Sequence, residues 1–188
     1  MEKRYEERAY VLDFLPHGRP GTHPTGRAGY RAGALVQLVG EEFFTLLEAL
    51  VKEGVVLKPH ERVYVGKETR NEITYIIGRI RYDDLTSTAK MELPTGLGKI
   101  VLTHEKRFVN FFNTAQALTP RMHSLELIPG IGKKYMWQVI NEREKKAFEN
   151  FKDLQRRTEL PSPIKLITKR ILEELAGESK YRIFTRSH

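Results

Sequence analysis

The chain has 188 residues, with 32 Lys+Arg against 24 Asp+Glu for a formal charge of +8, and no cysteine. The missing cysteine excludes a disulfide scaffold, a thiol nucleophile and any Cys-based zinc or iron–sulfur site. No run of about 18 apolar residues occurs, and the opening Met1-Glu2-Lys3-Arg4 leads into no signal core, so a cytoplasmic protein with no membrane partner is expected. The charge is unevenly spread. Residues 1–100 hold 15 basic and 14 acidic side chains, and residues 101–188 hold 17 and 10, so the second half carries +7 of the excess. Such a half is suited to meet a polyanion. Asn and Gln are few while Lys, Arg and Glu dominate, a bias that heat tolerance selects.

In chain order, Ala9 to Leu15 is a β-rich run that stops at Pro16. Residues 16–33 carry five Gly, three Pro, His17, His23, Arg19, Arg27 and Arg31. They read as a functional or mobile loop whose cations are placed to touch an anion. Ala34 to Val39 resumes as a strand, and Glu42 to Val51 fits a helix face almost as well as a buried strand. A Pro59-led turn feeds a strand to Gly66, and Asn71 to Tyr82 is another, so residues 9–82 predict a small curled sheet or barrel. The spacing then becomes helical. Asp83 to Ser87 offers N-caps for a short helix ending near Pro94, a longer helix is expected from about Lys99 to Leu118, and Thr119-Pro120 has the signature of a new start. The expected class is α+β in two domains: a β-barrel over 1–98 and a helical domain over 99–188.

The sharpest segment is Leu125 to Lys134, where an apolar helix end meets Pro129-Gly130-Ile131-Gly132 and a second helix starts at once. The glycines allow unusual backbone angles and close approach of a ligand, while Ile131 is placed to plug inward. Lys133 and Lys134 in a first helical turn oppose the helix dipole, and a bound phosphate would supply a reason for them. The segment resembles the helix-hairpin-helix motif, here spanning 119–141. The resemblance implies that Gly130 and Gly132 are the hairpin glycines and that the amides of Gly132 to Lys134 donate to a nucleic-acid phosphate. It departs from the motif at Met136, where a small residue is usual. A second pair, Phe151 to Arg157 and Ile164 to Leu175, lacks the twin glycine and is assigned to packing, with Ser162 and Pro163 as its own cap. Arg156, Arg157, Lys165, Lys169 and Arg170 read as a solvated helix face.

Period two places Tyr75, Ile77, Arg79 and Arg81 on one strand face, and Arg62 with Tyr64 on another. Exposed aromatic and Arg side chains of this kind form the stacking platforms of single-strand binders. Asp83-Asp84 is a conceivable metal-dependent hydrolase or nuclease pair, though adjacent carboxylates more simply cap a turn. No nucleophile–base pair, metal-ligand set or cofactor motif is present, so neither catalysis nor a cofactor is expected.

End to end, the chain resembles an archaeal family known as domain of unknown function 655. The resemblance rests on Tyr10 to Pro16, Glu61 to Gly66, Arg81 to Lys90, Arg107 to Asn113 and Arg121 to Lys134. It implies an N-terminal barrel like the OB fold, then helix-hairpin-helix helices, and nucleic-acid binding. The expected function is non-enzymatic, largely sequence-independent binding of nucleic acid, RNA somewhat before DNA. The alternatives are an accessory factor whose barrel docks on a protein machine such as a ribosome or RNA polymerase, or the Asp83/Asp84 hydrolase.

Overall fold

The first apolar run forms β1 (Arg8–Leu15) and the resumed run forms β2 (Leu35–Gly40). β3 (Leu46–Val51) pairs with β2, β4 (Arg62–Tyr64) with the far side of β1, and β5 (Ile73–Arg79) with β3. The result is an antiparallel sheet of order β4-β1-β2-β3-β5, curled into a half-barrel. This computed structural model describes residues 5–19, 33–177 and 179–186, a mixed α+β chain with five α-helices among the described residues.

The segment 42–51, open between helix and strand in the sequence, is a turn followed by β3. Its near-continuous apolar run arises because both faces of the sheet are covered. Ala9, Val11, Val36, Leu38, Ala49 and Ile73 form a cluster on the inner face. On the other face Leu12, Val39 and Leu46 are fully buried. There Gly96 of α1 (Ser87–Thr103) comes so close that an added Cβ would lie 3.5 Å from Leu12.

Two corrections concern the helices. α1 does not end near Pro94; it runs through Pro94 and Gly96-Leu97-Gly98 to Thr103, and α2 follows as Glu105–Thr114. An interior proline costs about 3 kcal/mol, but here it offsets against one stripe of fully buried Ala89, Leu93, Leu97, Ile100 and Val101. Thr86 caps α1, its hydroxyl accepting from Ala89 N–H at 3.0 Å. Thr119-Pro120 starts no helix. It lies in a two-stranded hairpin of β6 (Ala117–Thr119) and β7 (Met122–His123), where the Thr119 hydroxyl accepts from Arg121 N–H at 3.3 Å. Three helices follow: α3 (Lys133–Lys145), α4 (Phe151–Arg157) and α5 (Pro163–Leu175).

The chain divides into two compact units. The first comprises Met1–Gly96, Leu175–Gly177 and Phe184–His188, and the second Leu97–Glu174 and Glu178–Ile183. Within the second, Phe108, Phe112, Leu125, Ile128, Val139, Leu154, Ile167 and Ile171 are buried to 1% exposure or less. Polar clasps fix the chain between its helices. The Asn113 amide donates to Phe148 C=O at 2.9 Å and accepts from Phe148 N–H at 2.8 Å. Arg157 donates to the Glu142 and Lys146 carbonyls at the end of α3, at 2.5 and 2.6 Å.

In the first unit a buried carboxylate shapes the turn before β3. Glu6 accepts from Glu42 N–H at 2.8 Å, Phe43 N–H at 3.0 Å and Thr45 N–H at 3.0 Å. It holds Phe44 in the left-handed region at φ 58°. An added Cβ on Gly40 would fall 2.0 Å from the Glu6 carboxyl carbon, so only glycine leaves room for this cap. Burial raises the Glu6 pKa above its ordinary 4.5, against the lowering effect of the amides. A raised carboxyl pKa in the folded state means that its stability contribution is complete below the unfolded value and is lost as pH rises through the folded value. Denaturant melts from pH 4 to 7 should therefore show a falling limb of stability in the native protein that is absent in Glu6→Gln; parallel limbs would contradict this assignment.

Candidate nucleic-acid interface

The hairpin begins with one 3₁₀ turn, Ser124–Leu127, rather than with an α-helix. The His123 ring caps it, Nδ1 accepting from Leu125 N–H at 3.1 Å, while Glu126 reaches back to His123 N–H at 2.9 Å. This fixes His123 as the Nε2–H tautomer. Burial first, then the charge of Arg143, lowers its pKa from the ordinary 6.5 and keeps it an acceptor.

Ile128-Pro129-Gly130-Ile131 is then a tight turn closed by Ile131 N–H to Ile128 C=O at 3.0 Å. Proline second and Gly130 third, at φ 93°, is the type II pattern that demands glycine. Ile131 is 3% exposed and plugs inward as its apolar side chain predicts. Met136, where the resembling motif has a small residue, is buried at 4% exposure.

Gly132 is the N-cap of α3 and has no side chain to offer. The first intrahelical bond runs from Met136 N–H to Gly132 C=O at 3.0 Å, so the amides of Lys133, Lys134 and Tyr135 precede the ladder. Nothing lies within 4 Å of an added Cβ on Gly132, and Gly132, Lys133 and Lys134 are exposed. Both lysines already have carboxylate partners. Lys133 Nζ lies 2.9 Å from Glu126 and Lys134 Nζ 2.6 Å from Glu159. A bound phosphate is thus not the sole reason for two cations in this turn. The His123 amide, then Lys133, holds Glu126 below the ordinary carboxylate range, and the bond to Glu159 raises Lys134.

Arg170 belongs to this architecture rather than to a solvated face. Its side chain is 7% exposed and donates to Leu127 C=O at 3.1 Å, to Glu174 at 3.0 Å and to Tyr181 C=O. Arg157 is likewise committed, whereas Arg156 is exposed and pairs with Asp153 at 2.9 Å. Lys165 and Lys169 are exposed. Arg170 was missed because a lone cation at helical spacing carries no sign of its burial. Trp137, the one tryptophan and 55% exposed on α3, was missed because an aromatic amid apolar neighbours reads as core.

β4 and β5 are the two edges in the strand order, with Arg62 and Tyr64 on one and Tyr75 and Arg79 on the other; the segment just after β4 (Val65 and Gly66) lines one cavity with Ile76 and Arg79 of β5. One ladder irregularity, at unpaired Ile77, lies between Tyr75 and Arg79 and pairs Tyr75 with Leu50 but Arg79 with Leu47, positions on opposite faces of a strand whose side chains alternate. Period two fails there because the extra residue turns the strand over. Arg62 also pairs with buried Glu41 at 2.8 Å, and the Tyr64 hydroxyl accepts from Glu68 N–H at 3.3 Å. Arg79 lines a cavity of about 280 Å³ with Lys67, Arg70 and Ile76, and Arg81 lies exposed beyond β5.

Asp84 accepts from Arg81 N–H at 2.9 Å and closes a 3₁₀ turn over Tyr82–Asp84 beside exposed Asp83. Among the described residues no group of three or more His, Asp or Glu is placed to hold a metal ion. Of the expected loop cations, Arg19 is bound to Glu48 at 2.6 Å and to Asp84 C=O at 3.2 Å. His17 is exposed, and His23, Arg27 and Arg31 lie outside the described residues. No described helix is long and apolar enough to cross a membrane.

The two glycines should respond oppositely in denaturant melts. Gly130→Ala forces a Cβ to φ 93° and within 3.0 Å of Leu166, which should cost about 1–3 kcal/mol. Gly132→Ser has open space and gives α3 a capping hydroxyl, so it should be neutral or gain a few tenths of a kcal/mol. Equal losses would contradict the turn assignment.

Comparison with known proteins places the chain among archaeal relatives. The family model described as protein of unknown function (DUF655) matches residues 5–186. The chain is 41% identical over 186 residues to uncharacterized protein MJ0038 of Methanocaldococcus jannaschii, covering 98% of this chain and 82% of that protein. The crystal structure of Af1531 from Archaeoglobus fulgidus, assigned to the same family, superposes with a TM-score of 0.86 at 45% identity, covering 96% of this chain and 100% of that one.

Proposed function

The chain belongs to the DUF655 family, and from the geometry of its hairpin we propose that it is a cytoplasmic, non-enzymatic protein that binds nucleic acid with little sequence preference, RNA somewhat before DNA. The carrying observation is the start of α3: three consecutive amides ahead of the helical ladder, in an exposed turn that also holds Lys133 and Lys134. Amides at a helix start stabilise an anion through their partial positive charge, and backbone contacts carry no base information, which gives affinity without sequence choice. In this reading 124–141 acts as a helix-hairpin-helix whose first arm has shrunk to a 3₁₀ turn, and the half-barrel is an OB-like module. The formal charge of the second half supports a polyanionic partner. Phosphate would compete with Glu126 and Glu159 for the lysines, which holds them near the site while it is empty of ligand.

A second reading, docking of the barrel on a protein machine such as a ribosome or RNA polymerase, is favoured by one feature. Tyr75 and Ile77 on edge strand β5 are 47% and 45% exposed.

Binding of labelled single- and double-stranded RNA and DNA across a salt series tests the proposal. The native protein should lose affinity steeply with salt. Lys133→Gln/Lys134→Gln should flatten the log–log slope by about 1–2, at about 0.7–0.9 for each phosphate released. Gly132→Ser, whose hydroxyl occupies an amide, should weaken binding with an unchanged slope. A native protein that binds no polymer, or a double variant with the native slope, would overturn it.

A further inference from the structure

Trp137 is the chain's only tryptophan, and 55% of it is exposed on a helix whose Met136 and Val139 are buried at 4% and 0%. Its exposure therefore does not come from a detached helix: α3 is seated, and the indole is on its outer side. Among the described residues the ring makes no hydrogen bond or ring contact. Exposed apolar side chains occur elsewhere on the helices, as Met91 and Leu102 of α1 show at 78% and 57%, and need no partner by themselves; what sets Trp137 apart is its setting.

Its place in the helix points to a partner. Trp137 follows Lys133 by four residues and Lys134 by three, and on an α-helix such residues share a face. Four residues correspond to about 6 Å along the axis. Helical side chains lean toward the N-terminus, so the indole leans over the turn that holds the amides of Lys133 to Tyr135. A flat aromatic surface thus stands beside anion donors and two cations, about the distance from a phosphate to its own base. The cations, each paired with a carboxylate while no ligand is bound, and the amides match a polyanion. An exposed π-face beside them matches a polyanion that also presents rings.

We propose that Trp137 is a stacking platform for an unpaired nucleobase, so that the strand held at the hairpin is single-stranded or looped. The inference rests on the reading of the hairpin as a phosphate site and adds the class of nucleic acid it takes. In a duplex the base faces are covered by their neighbours, whereas an unpaired base is free to stack on an aromatic side chain. Stacking accepts any base because every base has a π-face, which agrees with binding that ignores sequence.

The single tryptophan makes the test direct. The full chain is titrated with oligouridylate and oligothymidylate of about twelve nucleotides, with a strand of equal length lacking bases, and with a blunt duplex. Emission of Trp137 and anisotropy of the labelled strands are followed together. Both single strands should quench Trp137 and the abasic strand should bind without quenching; the stronger of the two base-bearing strands identifies RNA or DNA as the preferred polymer. Trp137→Ala should lose about tenfold in affinity for the base-bearing single strands and nothing for the abasic strand or the duplex, and Trp137→Phe should recover most of that loss. Both variants change an exposed residue, and an unchanged melting temperature verifies their fold. Salt-dependent binding that is indifferent to the bases and to Trp137 would overturn the stacking proposal alone. Failure of the native protein to bind any strand would overturn the phosphate site with it.

Discussion

The buried guanidinium of Arg170 is the interaction on which the presentation of the hairpin depends. From α5 it donates to the last carbonyl of the 3₁₀ turn, at Leu127, and to fully buried Glu174 one turn further on, which itself accepts from Ile183 N–H at 2.7 Å. A buried ion pair adds little net stability by itself, but removing one partner leaves an uncompensated charge. What it supplies is position. With Leu127 tied down and Ile131 plugged inward, the intervening turn has one course, and its Gly130 rests against Leu166. The start of α3 is thereby delivered to the surface in a fixed direction, its amides organised before any ligand arrives.

The same economy recurs in the first unit, where one carboxylate does the work of a cap. Glu6 gathers the amides of the turn before β3, and Gly40 exists to make room for it. Gln37, fully buried, donates to Glu48 and to Asp84 C=O, both at 3.1 Å, and accepts from Thr86 N–H at 2.9 Å. Asp13 completes the chain by accepting from the Thr86 hydroxyl at 2.6 Å. Buried polar groups on the sheet are thus satisfied by the turn and cap that lead into α1, and the acidic pair once considered for metal chemistry lies in that turn.

Elements with strong periodicity were legible in the sequence: β1, β2, β5, α4 and α5 lie close to where alternation or helical spacing places them. The turn at Pro129-Gly130 and the helix start after Gly132 were legible because these residue types write backbone geometry directly. Other features follow from partners distant in sequence. Pro94 suggested an end that burial of the α1 stripe overrides, and Thr119-Pro120 mimicked a cap but turns a β-hairpin. The bulge at Ile77 that separates Tyr75 from Arg79 leaves no mark on an alternating pattern, and neither the carboxylates that pair Lys133 and Lys134 nor the burial of Arg170 can be read from spacing.

The most direct test of the central claim is a residue-by-residue map of backbone amides, by NMR chemical shifts of the isotope-labelled chain as a short single-stranded RNA is added. The account predicts that the largest and earliest shifts fall on Gly132, Lys133, Lys134 and Tyr135, with the Trp137 indole following. Shifts confined to the half-barrel, or none at saturating RNA, would contradict it.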